Sequence, residues 1–427
     1  MAELFAVEPA LASAPVSAST SASKTSASKG STPASKTSAP ERMKWKYRSL
    51  KLIILTAVGF LGLIFLLHEN DRDTTLLPTQ ESAQEDRLSH VLSMVPLARD
   101  YKQVPGCTEN STVVNVSGFT QLPDHIKNFL RYRHCKEFCM ILDVPNKCGG
   151  AQASKNVFLL MVIKSSPRNY ERREIIRKTW GVETTYQGLQ VRRLFITGVS
   201  SNLLEARKMN RLLQLERQEH RDILQWDFYD TFFNLTLKQV LFHQWMEEMC
   251  PGARFIFNGD DDVFVHTYNV VQYLVGLAST NDSHLYVGQL IAYVGPIRET
   301  WSKYYVPKQI TNSDSYPPYC GGGGILMSGF TSHAIYKASL DIELFPIDDV
   351  YLGMCLKKAG LAPASHMGMR TVGVSIPSSK LDAFDPCYYK ELLMVHRFMP
   401  YEMLVMWHAL QDPNLVCGQI YKIYLGF

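Results

Sequence analysis

One run constrains this chain more than any other: Asn156–Lys164 reads NVFLLMVIK, an almost unbroken apolar stretch. A strand with one wet face alternates polar and apolar residues, whereas a strand without polar positions must be covered on both faces. The segments that follow repeat the theme. Helical spacing over Arg168–Trp180 leads to a second strand at Arg192–Thr197 (RRLFIT). A helix over Ser201–His220, with Ser or Asn as its cap, leads to a third strand at Ile223–Phe228. A helix over Leu235–Met249, behind the cap-like Asn234, leads to a fourth at Arg254–Asn258 (RFIFN). Buried strands alternating with amphipathic helices predict an α/β fold with a mostly parallel sheet covered on both faces. Such sheets bind ligands beyond the carboxyl ends of their strands. The loops after Lys164, Gly198, Phe228 and Asn258 should therefore converge on a site.

The residues at those ends carry chemistry. Asp260-Asp261-Asp262 follows the fourth strand directly, in FIFNGDDDVFV. Three crowded carboxylates repel one another unless a cation compensates. Their hard oxygens suit Mg²⁺ or Mn²⁺, which complete their shells with water and substrate phosphates. A solvated acidic turn is the plainer reading, but the position at a buried strand's end favours a metal. A second pair, Asp348-Asp349 in FPIDDVYLGMCL, opens a helical pattern. Either can cap the helix, since Asp is a favoured N-cap, and the other can face the cleft as a general base. Spacing leaves that choice open. The run Tyr319-Cys320-Gly321-Gly322-Gly323-Gly324 has aromatic and Cys neighbours rather than the Ser of a flexible linker. It reads as a close approach of backbone to ligand. ERREIIRKTW carries Arg172, Arg173, Arg177 and Lys178. With a phosphate site expected nearby, one or two of these can pair with a diphosphate, against the alternative of a solvated helix face. His396, in LMVHRFMP, is either a core residue or a metal ligand.

The N-terminal part predicts a membrane topology. Leu52–Leu67 (LIILTAVGFLGLIFLL) has no charge and is slightly short of a span of ~20 residues. Arg42, Lys44, Lys46, Arg48 and Lys51 precede it, which places the N-terminus in the cytosol and the rest in the lumen. No small-x-small cleavage site follows Leu67, so an uncleaved anchor is expected. The chain divides into a disordered Ser/Ala/Thr/Lys-rich cytosolic tail (1–48), a signal anchor (49–68), a stem (69–100) and a luminal catalytic domain (101–427). Met43 opens MKWKYRSLKLIILTAVG, itself a complete basic-then-apolar anchor, and is expected to serve as an alternative start. Eight of the basic residues lie at or before Lys51, so the remainder is near neutral despite a net charge of +4. A nucleic-acid partner, which would need a basic face on the folded part, is therefore not expected. All nine cysteines follow the anchor, which predicts disulfides in an oxidising lumen. His134, Cys135 and Cys139 lack the paired C-x₂-C partner of a zinc site. Four N-x-S/T sequons, at Asn110, Asn115, Asn234 and Asn281, agree with a luminal face.

RREIIRKTW, DILQWDFYDTFFNLTLK, FIFNGDDDVF, KYYVP, YPPYCGGGG, FPIDDVYLGMCL and VHRF, in that order, resemble the animal β-1,3-glycosyltransferases. Within them the chain is similar to the β-1,3-N-acetylglucosaminyltransferases, closest to the core-1-extending branch. The resemblance spans roughly Cys107 to Cys417. The related β-1,3-galactosyltransferases tend to carry Glu-Asp-Val where this chain has Asp-Asp-Val. The resemblance implies a GT-A fold, a Rossmann-like nucleotide half joined to an acceptor half, in a Golgi-resident enzyme. It implies UDP-GlcNAc as donor, Mn²⁺ or Mg²⁺, and inversion at the anomeric carbon. The acceptor would be a glycoprotein or glycolipid glycan ending in galactose, on O-glycan core 1 or lactosamine-type chains. Asp260 and Asp262 take the D-x-D role, with Asp262 the direct ligand, and His396 matches a metal-binding His. Asp349 matches the base, with Asp348 as second choice. Asp260, Asp261, Arg173 and Arg177 would hold the nucleotide, and Tyr319, Gly322 and Gly323 would line the acceptor side. A homodimer is left open. A β-1,3-galactosyltransferase, a catalytically inert glycan-binding relative and a phosphodiesterase are the competing readings, the last disfavoured because two-metal sites need more ligands.

Overall fold

The computed structural model describes residues 107–278, 283–374, 376 and 381–418. The expected tail, anchor and stem, Met43 and the Asn281 sequon lie outside them. Among the described residues no helix is long and apolar enough to cross a membrane.

The chain enters through α1 (Asp124–Tyr132) and β1 (Met140–Leu142) and reaches β2 (Val157–Lys164), which is buried along its whole length. Its side chains divide with the period of two that a strand imposes. Leu160 and Val162 enter one apolar layer, Leu159, Met161 and Ile163 the other. The chain continues through α2 (Tyr170–Lys178), a short β3 (Thr185–Tyr186), β4 (Leu189–Val199), α3 (Leu203–His220), β5 (Ile223–Tyr229), α4 (Leu235–Met249) and β6 (Phe255–Asp260). All of these but β3 are the predicted strands and helices, with ends shifted by a few residues. Asn202 caps α3 by accepting the Leu204 N–H. Asn234 does not cap α4 through its side chain; its amide donates to the Tyr229 carbonyl.

Strands β5, β4, β2 and β6 lie side by side and parallel. The mostly parallel expectation ends there. After β7 (Val263–Val265) and α5 (Thr267–Ala278), the chain forms β8 (Tyr286–Gly288), β9 (Leu290–Ile291), β10 (Tyr319–Cys320) and β11 (Gly324–Ser328). β11 inserts antiparallel between β6 and β8, and β1 is antiparallel to β5 at the other edge. Helices α6 (Gly329–Ser339) and α7 (Asp348–Lys358) precede β12 (Ala364–Ser365), which completes the order β1-β5-β4-β2-β6-β11-β8-β12. β13 (Met369–Arg370) and β14 (Met394–His396) join β7 in a small second sheet, and α8 (Pro400–Gln411) follows. One layer beside the main sheet is filled from α4 and α7 by Phe242, Trp245, Tyr351 and Leu356. The other is filled from α2, α3, α5 and α8 by Ile176, Leu213, Leu274 and Met403. Each fully buried side chain of this size contributes about 1.5–3 kcal/mol.

Among the described residues disulfides join Cys107 to Cys135, Cys148 to Cys250 and Cys387 to Cys417. Cys135 is thereby unavailable to a metal, and Cys320 and Cys355 are buried thiols.

Charge is also buried between the helices of the second layer and the sheet. Asp222, fully buried just before β5, accepts from Arg177 Nε (3.0 Å) and Nη2 (2.9 Å) and from Arg193 Nε (3.0 Å). Burial alone would raise the Asp222 carboxyl, but the Arg177 hydrogen bonds and the Arg193 charge outweigh it and hold it below the ordinary range. A carboxylate depressed in the folded state stabilises the fold above its unfolded pKa and loses that contribution as pH falls through its folded value. Replacing Asp222 by Ala would leave the buried Arg193 guanidinium without its carboxylate and take one of three from Arg177, a loss of about 3–5 kcal/mol. Urea denaturation of Asp222→Ala at neutral pH should show that loss, and a change below about 1 kcal/mol would refute the assignment.

Candidate active site

The acidic triplet sits in the turn between β6 and β7, and its three side chains part company. Asp260 and Asp262 face the same open space as His396 from β14; these three offer ligand atoms all within 4.8 Å of one another. His396 Nε2 lies 3.0 Å from Asp262 Oδ1 and 3.9 Å from Asp260 Oδ2. The other ring nitrogen, Nδ1, is 3.2 Å from the Thr371 carbonyl. A carbonyl only accepts, so Nδ1 carries the hydrogen and Nε2 is left to bind, the usual arrangement of a ligating histidine. Burial would push the imidazole down, yet its hydrogen bond to Asp262 and the charges of Asp262 and Asp260 pull it above its usual value. Two carboxylates and an oriented imidazole therefore seek positive charge, and the donor set fits Mn²⁺ or Mg²⁺.

Asp261 does not belong to that set. It is buried, 7% exposed, and accepts from Ser165 Oγ at 2.7 Å and Asn169 Nδ2 at 2.8 Å. Burial pushes its carboxyl up to about 6, with those hydrogen bonds working against the rise. The expectation that Asp261 touches the nucleotide is corrected: its side chain is turned into the protein.

Arg173 and Arg177 are corrected likewise. Arg173 is fully buried, and every guanidinium N–H is used. Nε and Nη2 donate to Glu216 at 2.8 and 2.6 Å, and the remaining donors go to Ser165 Oγ and the carbonyls of Ser166 and Pro167. Arg177 binds Asp222, Glu174 and Glu216. Neither has a free fork for a phosphate. Their neighbour Arg172 does lie against the triplet, with Nη1 3.4 Å from the Asp261 carbonyl and its side chain 23% exposed. A helix turns each successive residue to a different face, and spacing alone did not say which face met the acidic turn.

Asp348 and Asp349 occupy the first turn of α7. Neither is the N-cap, a position held by Ile347; as first-turn carboxylates they are favoured by the helix dipole. Asp348 is buried and bound by Lys164 Nζ at 3.0 Å. Asp349 is half-buried and accepts a backbone hydrogen bond from Gly322. Burial, then the charge of Asp348, raise the Asp349 carboxyl well above the ordinary range, with Lys164 pulling back. A general base needs raised basicity and access, and Asp349 has both. Asp348, the second choice, is committed to its lysine.

Lys164 itself went unrecognised in the sequence. Its Nζ bridges Asp260 Oδ1 and Asp348 Oδ2, each at 3.0 Å. Burial would lower this ammonium, but Asp260, Asp348 and Asp349 keep it well above its usual value. The available signal was a lone lysine closing a buried apolar strand, because a buried lysine requires a carboxylate partner.

The glycine run threads between Asp349 and His396. The Gly323 carbonyl accepts the Asp260 N–H at 2.9 Å. A Cβ on Gly322 would stand 3.0 Å from Asp349 Oδ2, and one on Gly323, at φ +104°, would stand 2.9 Å from the His396 ring. The close approach is thus to the Asp349 and His396 side chains themselves. Tyr319, half-buried on β10, has its phenol pushed up to about 12 by burial and the Asp349 charge. Of the sequons, Asn110 and Asn115 are exposed, and Asn234 is half-buried.

Residues 171–367 match the Galactosyltransferase family profile. The human N-acetyllactosaminide beta-1,3-N-acetylglucosaminyltransferase 3 is 58% identical over 319 residues, 74% of this chain and 84% of that one. The human acetylgalactosaminyl-O-glycosyl-glycoprotein beta-1,3-N-acetylglucosaminyltransferase is 46% identical over 376 residues, 87% of this chain and 96% of that one. The mouse UDP-GlcNAc:betaGal beta-1,3-N-acetylglucosaminyltransferase 7 is 41% identical over 321 residues, 74% of this chain and 79% of that one. With this likeness running through 79% or more of each of these relatives and a carboxylate–imidazole site at its centre, the chain belongs to the β-1,3-N-acetylglucosaminyltransferase family.

Proposed function

We propose that this protein transfers N-acetylglucosamine from UDP-GlcNAc, with inversion, to the 3-hydroxyl of a terminal galactose in a β1,3 linkage. The observation that carries the reading is the juxtaposition of a three-ligand cluster, Asp260, Asp262 and His396, with an accessible basic carboxylate, Asp349, across the glycine run. The names of the relatives favour galactose-ended acceptors of the O-glycan core 1 or lactosamine type.

Asp260, Asp262 and His396 would hold Mn²⁺ or Mg²⁺. When bound, the metal neutralises the negative charge that gathers on the UDP leaving group. Arg172, at the edge of the same turn, adds a fixed positive charge for the nucleotide. Asp349 removes the proton from the galactose 3-hydroxyl as that oxygen attacks the anomeric carbon. Gly322 donates its N–H to Asp349 and orients it, and Lys164 holds Asp348 out of the reaction. Between β9 and β10 the chain makes a long excursion bearing the exposed aromatics Tyr293 and Trp301, surfaces on which a sugar ring can stack.

The location proposed is the Golgi membrane, with residues 49–68 as a single anchor and the enzyme in the lumen. Treatment of the cell-made protein with an endoglycosidase that removes N-glycans should increase its gel mobility, through Asn110 and Asn115 at least. A protein bearing no glycan at any sequon would overturn the luminal placement.

The activity is tested by UDP release from a panel of UDP-sugars in the presence of Mn²⁺ and galactose-ended acceptors. Acceptor-dependent release with UDP-GlcNAc is expected, and preference for UDP-galactose would overturn the donor assignment. Asp349→Asn should lower turnover by about 10²–10⁴-fold while UDP binding survives; near-normal turnover would remove Asp349 from the base role. Asp262→Ala should instead abolish the metal dependence of UDP binding measured by calorimetry, and an unchanged dependence would remove Asp262 from the ligand set.

A further inference from the structure

Between the buried charges of α2 and α3 and the acidic turn runs a continuous chain of hydrogen bonds. Glu216 on α3 receives two bonds from Arg173 on α2. Arg173 Nη1 donates to Ser165 Oγ at 3.0 Å, and Ser165 Oγ lies 2.7 Å from Asp261 Oδ2. Donor and acceptor roles follow from chemistry. A guanidinium only donates, so it occupies a lone pair of the serine oxygen, and the serine hydrogen is left to point elsewhere. The other acceptor within its reach, the Ser166 carbonyl at 3.4 Å, is already taken by Arg173 at 2.7 Å. The hydroxyl is therefore aimed at Asp261. Asn169, just before α2, donates to the same carboxylate oxygen at 2.8 Å.

We propose that this Arg173–Ser165–Asp261 relay, with Asn169, is the device that positions the metal ligands: pinning the middle carboxylate inward obliges Asp260 and Asp262 to present theirs outward toward His396. The proposal rests on the reading of Asp260, Asp262 and His396 as a metal site. These are positioning residues, since Arg173 and Asp261 are buried and neither faces the open side of the turn. Elsewhere the turn is held by Lys164 Nζ on Asp260 Oδ1 at 3.0 Å, by Arg172 Nη1 on the Asp261 carbonyl at 3.4 Å, and by two short backbone bonds, Asp260 N–H to the Gly323 carbonyl at 2.9 Å and Phe398 N–H to the Asp262 carbonyl at 2.8 Å. Those two bonds set the path of the chain, while the relay selects the side to which the middle carboxylate turns. The same logic explains why a fully buried arginine lies in a motif beside the nucleotide site without touching the nucleotide. Its contribution passes through a serine hydroxyl.

Loss of partners that orient metal ligands typically weakens metal affinity by about 10–100-fold. The test uses the full-length protein and titrates Mn²⁺ against UDP binding by calorimetry, alongside urea denaturation, for Ser165→Ala and Asn169→Ala. The Mn²⁺ concentration giving half-maximal UDP binding should rise about 10-fold in each variant, with full binding recovered at saturating Mn²⁺. A role in stability alone would shift the urea midpoint and leave the Mn²⁺ dependence unmoved. Asn169→Ala serves if Ser165→Ala fails to fold, because its side chain lies at the edge of the buried network. Metal-dependent UDP binding in the unaltered protein, with an unchanged Mn²⁺ half-point in whichever of the variants folds, would overturn this inference alone. Metal-independent UDP binding by the unaltered protein would overturn the metal reading and this inference with it.

Discussion

The ammonium of Lys164, at the end of the central strand β2, is the interaction on which the rest of the site depends. It binds Asp260 and Asp348, which come from parts of the chain far apart in sequence. Without it, Asp260, Asp348 and Asp349 would repel one another across a poorly solvated space. With it, the acidic turn and α7 are drawn to the same strand end. Breaking a buried ion pair by removing one partner commonly costs about 3–5 kcal/mol, because the survivor is left uncompensated. The contact therefore resists drift between the halves of the cleft, and it leaves Asp349 as the carboxylate with both access and basicity.

A second charge system, formed by Arg173, Arg177, Arg193, Glu216 and Asp222, lies deeper. Buried ion pairs are weak evidence of net stability, because desolvation offsets most of their attraction. Their directional demands are a stronger reason for their presence. Arg173 holds Ser165 Oγ and the carbonyls of Ser166 and Pro167 at once, so the loop after β2 has one geometry available to it. That loop is the floor on which the acidic turn rests. The antiparallel strand β11 supplies the opposite wall, since its register sets Gly324 beside Gly259 and carries the glycine run past both Asp349 and His396.

Much of this was legible in the sequence because local physics and tertiary context agree. The NVFLLMVIK run has no polar face to offer water, so burial on both sides was its only stable outcome. The strand–helix alternation through residue 258 followed from pattern, and motif and resemblance singled out Asp260, Asp262 and His396, which the structure brings together, and Asp349 as a candidate base. The Arg172–Lys178 cluster shows where the method stops. A count of basic residues near a phosphate site cannot say that Arg173 has spent every donor on Glu216 and loop carbonyls, because those partners are remote in sequence.

The sequence by itself determined the strands and helices of the parallel part of the sheet, the family, and the residue types that can do the chemistry. These depend on periodicity and on short contiguous motifs, which the chain carries locally. Only the tertiary structure decided that the sheet turns antiparallel at β11, that Asp261 faces inward, that Lys164 joins two carboxylates, and that Arg172 rather than Arg173 or Arg177 borders the acidic turn. Each of those outcomes is set by hydrogen bonds and charge contacts between distant segments. Burial then fixed which of several equivalent side chains had to be satisfied by protein and which remained free for a substrate.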